Sequence, residues 1–164
     1  MRESVTLRPV CSEDEAFVFD LFRSVHKQTF ASLDMPEQEE IELLRMQFIA
    51  QQSHYRGQYP DAHFDLVLKD EFAIGTLYAM RGPEEFVLID IALLPEQRNA
   101  GIGAQLVAPL IQQALAAGRP LEAHVHRDNP AWHLWQRLGF EMVGDEGVYL
   151  KICVPADHQK NRER

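Results

Sequence analysis

Between Phe86 and Ala104 the chain reads FVLIDIALLPEQRNAGIGA, and no other stretch constrains its fold as tightly. A near-continuous run of Val, Ile and Leu, of strand length and interrupted only by Asp90, describes a strand buried on both faces. Pro95 ends that strand and a polar turn carrying Gly101 and Gly103 follows. Apolar residues then recur as Ile102, Leu106, Leu110 and as Val107, Ile111, Leu115, which is helical spacing. The first backbone N–H groups of a helix have no intrahelical acceptor and lie at the positive end of its dipole. A turn cleared of bulky side chains at that point can receive a phosphate.

Several ligand classes use a glycine turn between a strand and a helix, so the flanking residues must discriminate. No Lys-Ser or Lys-Thr follows Gly103, which excludes the Walker pattern, and the third glycine of a dinucleotide fingerprint is missing. Arg98-Asn99-Ala100-Gly101-Ile102-Gly103 instead fits R/Q-x-x-G-x-G, preceded by a hydrophobic strand and Pro-Glu. This resembles the coenzyme A pyrophosphate loop of the GNAT superfamily of N-acetyltransferases. Asn129-Pro130-Ala131 with Leu134-Trp135-Gln136-Arg137-Leu138-Gly139-Phe140 is similar to that family's N-x-x-A-x-x-L-Y-x-x-x-G-F, with Trp135 where Tyr is usual.

The remaining elements follow from pattern. Val5–Pro9 alternates as a first strand, and Ser12 with Glu15 forms a capping box for a helix carrying Phe17, Leu21, Phe22 and Val25. The pattern lapses from Lys27 to Met35, and Pro36 with Glu37, Glu39 and Glu40 starts a second helix through Ile41, Leu44 and Phe48 towards Tyr55. After a break at Gly57–Asp61, strands Phe64–Leu68 and Phe72–Met80 meander into the Phe86 strand. Gly118 and Pro120 end the glycine-turn helix, which Pro109 should kink or loosen. Leu121–His126 is a strand with His124 and His126 on its polar side, Asn129–Leu138 a short helix, and Phe140–Val143 and Val148–Val154 a hairpin across Gly144–Gly147. This order is that of the GNAT fold, an α/β (α+β) arrangement. The resemblance implies a mixed central sheet of six to seven strands, a splayed central parallel pair and about four helices. Residues 1–155 are expected to form one domain and 156–164 a polar, frayed tail.

The resemblance also implies an activity: transfer of the acetyl group of acetyl-CoA to a primary amine of a small molecule or protein. Arg98, Asn99, Ala100, Gly101, Ile102, Gly103 and Ala104 would hold the pyrophosphate of coenzyme A. The backbone of Ala92, Leu93 and Leu94 would bond the pantetheine arm, with the Leu93 N–H at the thioester oxygen. Asn129 would contact the coenzyme, although its place before Pro130 equally suits a helix cap. Trp135 falls where the family's leaving-group acid stands, and an indole is no acid. Tyr78 and Tyr149 are alternatives that as strand residues pack their rings. Asp90, a carboxylate in a buried strand, is either the general base or a structural hydrogen-bond acceptor. Phe30, Met46, His54, Tyr55 and Tyr59 would wall the acceptor pocket, with His124 a further candidate.

Composition bounds the rest. The formal net charge of −9 argues against a nucleic-acid partner, whose phosphates need clustered Lys and Arg. The first residues lack a signal-peptide core and no run is long enough to cross a bilayer, so the expectation is a cytoplasmic protein without a membrane partner, a monomer or homodimer. Cys11 and Cys153 match no ligand spacing and the histidines do not cluster, so no metal is expected. Two other readings stand beside the enzyme: a catalytically weak CoA-binding sensor or interaction module, suggested by Trp135, and an unrelated α/β nucleotide-binding domain.

Overall fold

The computed structural model describes residues 4–31 and 34–158, with the side chains of 28–31 outside that description. Seven strands, β1 (Val5–Pro9), β2 (His63–Lys69), β3 (Phe72–Arg81), β4 (Phe86–Leu93), β5 (Leu121–His126), β6 (Glu141–Glu146) and β7 (Tyr149–Val154), pair in the order β1-β2-β3-β4-β5-β7-β6. Among the described residues they are joined by four α-helices, α1 (Glu15–Ala31), α2 (Glu37–Gln58), α3 (Ile102–Ala116) and α4 (Trp132–Leu138). The mixed sheet with its parallel pair β4–β5 is the expected fold class. Parallel pairing covers only Phe86–Leu88 against Leu121–Ala123, although β4 runs on to Leu93 and β5 to His126. Only the first three residues of β4 are therefore fully buried; Ile89 to Leu93 are half-buried, against the expectation of burial throughout.

The chain clusters into two compact units, one of residues 1–78 with 90–98 and one of 79–89 with 99–164. In the first, α1 packs on α2, and Val18, Phe19, Phe22, Leu44, Phe48 and Leu66 form the core. The entry to α1 differs from the capping box expected at Ser12 and Glu15. Cys11 is the extended residue that opens a 3₁₀ turn at Ser12–Asp14, and its N–H donates to Asp14 Oδ2 at 2.9 Å. Arg8 decides the choice, gripping the same carboxylate with two hydrogen bonds of 2.7 and 2.8 Å. Helix α1 then continues to Ala31, past the lapse in apolar spacing. Likewise α2 runs through Gly57 to Gln58, since a single glycine only weakens a helix already propagating.

In the second unit α3 packs against β5 and α4. Helix α3 passes Pro109 without a break, because Pro109 and Gln105 both lie on its exposed side. Gln105, whose carbonyl loses its donor, is an exposed residue, while buried Leu106, Val107, Leu110 and Ile111 hold the opposite face. The last hairpin is longer than expected. β6 continues through Gly144, where a register shift absorbs one residue, and the turn tightens at Gly147, with φ 82°.

Candidate active site

At the end of β4 the backbone is fixed from two sides. The Leu94 N–H donates to the Ile74 carbonyl at 2.9 Å, and Arg98 Nε donates to the Leu93 carbonyl at 3.0 Å. Successive strand N–H groups point to opposite edges, so the Leu93 N–H faces away from β3. Gly75 on β3 makes this approach achievable: a Cβ there would collide with the Ala92 carbonyl oxygen and lie 2.8 Å from Leu93 Cδ2. Sequence reasoning missed Gly75, although a glycine inside a strand pattern is itself a signal of close backbone approach.

Beyond β4, Pro95–Gln97 makes a single 3₁₀ turn. Asn99 then adopts φ 61° and Gly101 φ 80°, both left-handed. Asn is among the few non-glycine residues that tolerate this conformation, and at Gly101 a side chain would meet open space, so the glycine serves the backbone angle. Gly101 is the residue that opens α3, with no side-chain cap and no acidic residue in the first turn. Within the same unit α3's first turn lies near α4: a Cβ on Gly103 would sit 3.9 Å from Trp135 Cη2. Trp135 is 8% exposed and stands edge-on to Phe140, ring centres 6.2 Å apart. Asn129 lies ahead of α4, whose cap residue is Ala131, and its Oδ1 accepts the Ala131 N–H at 2.9 Å. His124 is not with this group; it is exposed on β5 and 3.3 Å from Glu146 Oε2.

Back in the first unit, Asp90 is half-buried on β4, and burial pushes its carboxyl up to about 6, against a smaller opposing effect of the Ile91 backbone N–H. Tyr78 on β3 is 1% exposed and donates to Gln52 Oε1 at 3.3 Å. Its phenol is raised first by burial and then by the Asp90 charge, while the Gln52 hydrogen bond and Arg56 act the other way. A cavity of about 340 Å³ is lined by Tyr78, Gln52 and Arg56 together with Val18, Phe48 and Ile49. Tyr55 and Tyr59 are not part of that lining; Tyr55 stands edge-on to Tyr78 at 6.1 Å and the Tyr59 N–H closes α2 on the Tyr55 carbonyl. Met46 is exposed, as is His54, and the Phe30 side chain lies outside the described residues. The wall residues Phe48, Gln52 and Arg56 recur every four residues, a helical face that the sequence offered as a signal. Among the described residues no group of His, Cys, Asp or Glu could hold a metal ion, and no helix is long and apolar enough to cross a membrane.

A family model for the acetyltransferase (GNAT) family matches residues 20–140. The chain belongs to that family. No curated protein matches it. Among solved structures, this GNAT chain is similar to the PaiA N-acetyltransferase of Thermoplasma acidophilum in complex with coenzyme A, at 21% identity and a TM-score of 0.69, over 93% of this chain and 99% of that one. An acetyltransferase from Thermus thermophilus matches at 22% identity and a TM-score of 0.65, over 93% and 97%. A nucleotide-linked sugar GNAT, FdhC, matches at 14% and 0.67, over 98% and 91%. At these identities the structures share the GNAT fold with this chain.

Proposed function

We propose that this GNAT chain transfers the acetyl group of acetyl-coenzyme A to a primary amine of a small molecule or protein. The observation that carries the reading is the start of α3. Two left-handed residues lead into a helix whose first N–H groups meet neither a capping side chain nor an acid. That turn suits a diphosphate, and the coenzyme-bound PaiA neighbour adds support. The N–H groups from Ala100 to Ala104 would hold the diphosphate, with Arg98 contributing a cation whose Nε is already fixed on Leu93. The backbone of Ala92 to Leu94 would receive the pantetheine arm, and Asn129 and Trp135 would flank the coenzyme.

Bound as a substrate, acetyl-coenzyme A supplies a thioester: the amine nitrogen bonds to its acyl carbon, the carbon–sulfur bond breaks and the sulfur departs as a thiolate, which takes its proton from water. The Leu93 N–H, aimed away from β3, would stabilise the acyl oxygen, a contribution of about 3 to 4 kcal/mol for a preorganised donor. Asp90 would take the amine proton. With its carboxyl at about 6 it is a stronger base than an exposed aspartate and is still ionised at neutral pH.

Isothermal titration tests the first half: dissociation constants in the micromolar range are expected for acetyl-CoA and CoA, and no binding overturns the reading. The base has its own test. kcat/KM should fall as pH drops below about 6, where Asp90 gains a proton. Asp90→Asn should lower kcat by about 10² to 10⁴. The same variant should unfold at higher temperature near neutral pH. A carboxyl raised by burial costs stability above its folded pKa and nothing below the ordinary value of 3.8, so the substitution recovers about 1 to 3 kcal/mol. A purely hydrogen-bonding Asp90 predicts the reverse, a less stable variant.

Buried Trp135, standing where GNAT relatives usually carry Tyr, favours a second reading, a coenzyme-binding module without turnover. Thiol release over a broad amine panel separates the two: coenzyme binding with no acceptor-dependent release selects the module.

A further inference from the structure

The cavity of the first unit has a chemistry that narrows the acceptor. At about 340 Å³ it falls in the lower range of small-molecule sites, room for a metabolite of modest size. Phe48 and Ile49 give it an apolar wall. Among the described lining residues it carries one cation, Arg56, and one carboxylate, Glu15. The Arg56 guanidinium sits 4.4 Å over the Phe64 ring, which fixes its plane and lowers the entropy lost on pairing with a ligand. At the inner end, Tyr78 holds Gln52, and the Asp90 charge acts on Tyr78. The floor of the cavity and the proposed base thus share one electrostatic neighbourhood.

We infer that the acceptor is an amino carboxylate of free-amino-acid size, seated in this cavity with its carboxylate on Arg56 and its apolar body against Phe48 and Ile49. The inference rests on the acetyltransferase reading above and names its acceptor. A planar guanidinium is suited to a carboxylate, which it can grip through two N–H groups. The amine end is directed inward to Gln52 and Tyr78, where the Asp90 charge that acts on Tyr78 also attracts an ammonium group. Glu15 repels a carboxylate and so sets the ligand's direction. A polyamine is disfavoured, because it would bring positive charge to Arg56.

The test is thiol release from acetyl-CoA with a panel of free amino acids and their decarboxylated counterparts, for example leucine against 3-methylbutylamine. An amino acid should exceed its decarboxylated partner in kcat/KM by about tenfold or more, the value of one charge-assisted pairing. Arg56→Gln should raise KM for that amino acid about tenfold while leaving kcat within about twofold, because it removes uniform binding. It should narrow the gap between the amino acid and its decarboxylated partner, while the calorimetric affinity for CoA stays unchanged. Should Arg56→Gln fail to fold for want of its seat on Phe64, Arg56→Lys keeps the charge, loses the fork and should give an intermediate KM. Equal turnover of both partners, indifferent to Arg56, overturns the acceptor class and leaves the acetyltransferase standing. Coenzyme binding with no release from any amino acid overturns the class alone, and absence of coenzyme binding overturns both.

Discussion

The helices of this protein begin in two different ways. α1 and α2 neutralise their own positive ends: Asp14 closes the turn into α1 and Glu15 opens it, while Glu37, Glu39 and Glu40 crowd the first turn of α2. α3 begins on Gly101 with no acid and no capping side chain. A helix start left without internal partners costs stability unless something else meets its N–H groups. On the proposed function, α1 and α2 start for the sake of the fold, whereas α3 would start to meet an anion. Each can be made to resemble the other, and the expected effects differ in kind.

The largest effect comes from giving α3 the acid that α2 already has. Gly103→Glu places a carboxylate in the first turn, where a Cβ meets Leu134 and Trp135 only at ordinary contact distances of 3.8 and 3.9 Å. The fold should hold and even gain a few tenths of a kcal/mol from the dipole, while affinity for coenzyme A falls about 10²-fold or more. Calorimetry beside thermal unfolding reads both, and unchanged affinity would break the contrast.

Asp14→Ala performs the opposite experiment on α1. It removes the acceptor of the Cys11 N–H and takes from Arg8 its carboxylate partner, at a cost of about 2 kcal/mol, the upper range for a lost cap, without altering coenzyme affinity. Arg8, and then the Cys11 N–H, hold the Asp14 carboxyl well below the usual carboxylate range. Its stabilisation is therefore complete above the ordinary value of 3.8 and is lost as pH falls below it. Denaturation in urea at neutral pH and again below pH about 3 should show the gap between wild type and variant closing in acid.

Gly101→Ala is smaller. Nothing crowds the position, so the cost is the left-handed angle alone, about 1 kcal/mol, and coenzyme affinity should fall by less than about tenfold as the turn relaxes.

How much of this was written in the sequence depends on the range of the interaction. The strand, turn and helix from Phe86 to Ala116 and the alternation of Leu121 to His126 are local patterns, and they were legible. The capping box at Ser12 was misplaced by one residue because Arg8, on the preceding strand, claims Asp14. The fading burial of β4 could not be read from its composition, since pairing that stops at Leu88 is a property of two strands, not one. The cavity of Tyr78, Gln52 and Arg56 escaped notice for the same reason: it joins a strand to a helix face across 26 residues in the Tyr78–Gln52 bond alone. Local periodicity is enough to find the proposed anion turn, whereas the proposed acceptor cavity exists only through tertiary contact.

The smallest effect probes the fourth helix. Asn129 was open to two roles, cap or coenzyme contact, and its Oδ1 accepts the Ala131 N–H two residues on, a turn that precedes α4 without capping it. The bond is exposed and water can replace it, so Asn129→Ala should cost only about 0.5 kcal/mol of stability. Asn129→Asp keeps that acceptor and adds a negative charge. If Asn129 serves only its turn, Asp restores stability and neither variant alters coenzyme affinity. If its amide also meets the coenzyme, both variants should weaken binding, and Asp more than Ala, because the carboxylate has no N–H to donate and repels the phosphates. Calorimetric titration of both variants separates the two roles, even though neither should move the unfolding temperature by more than a few degrees.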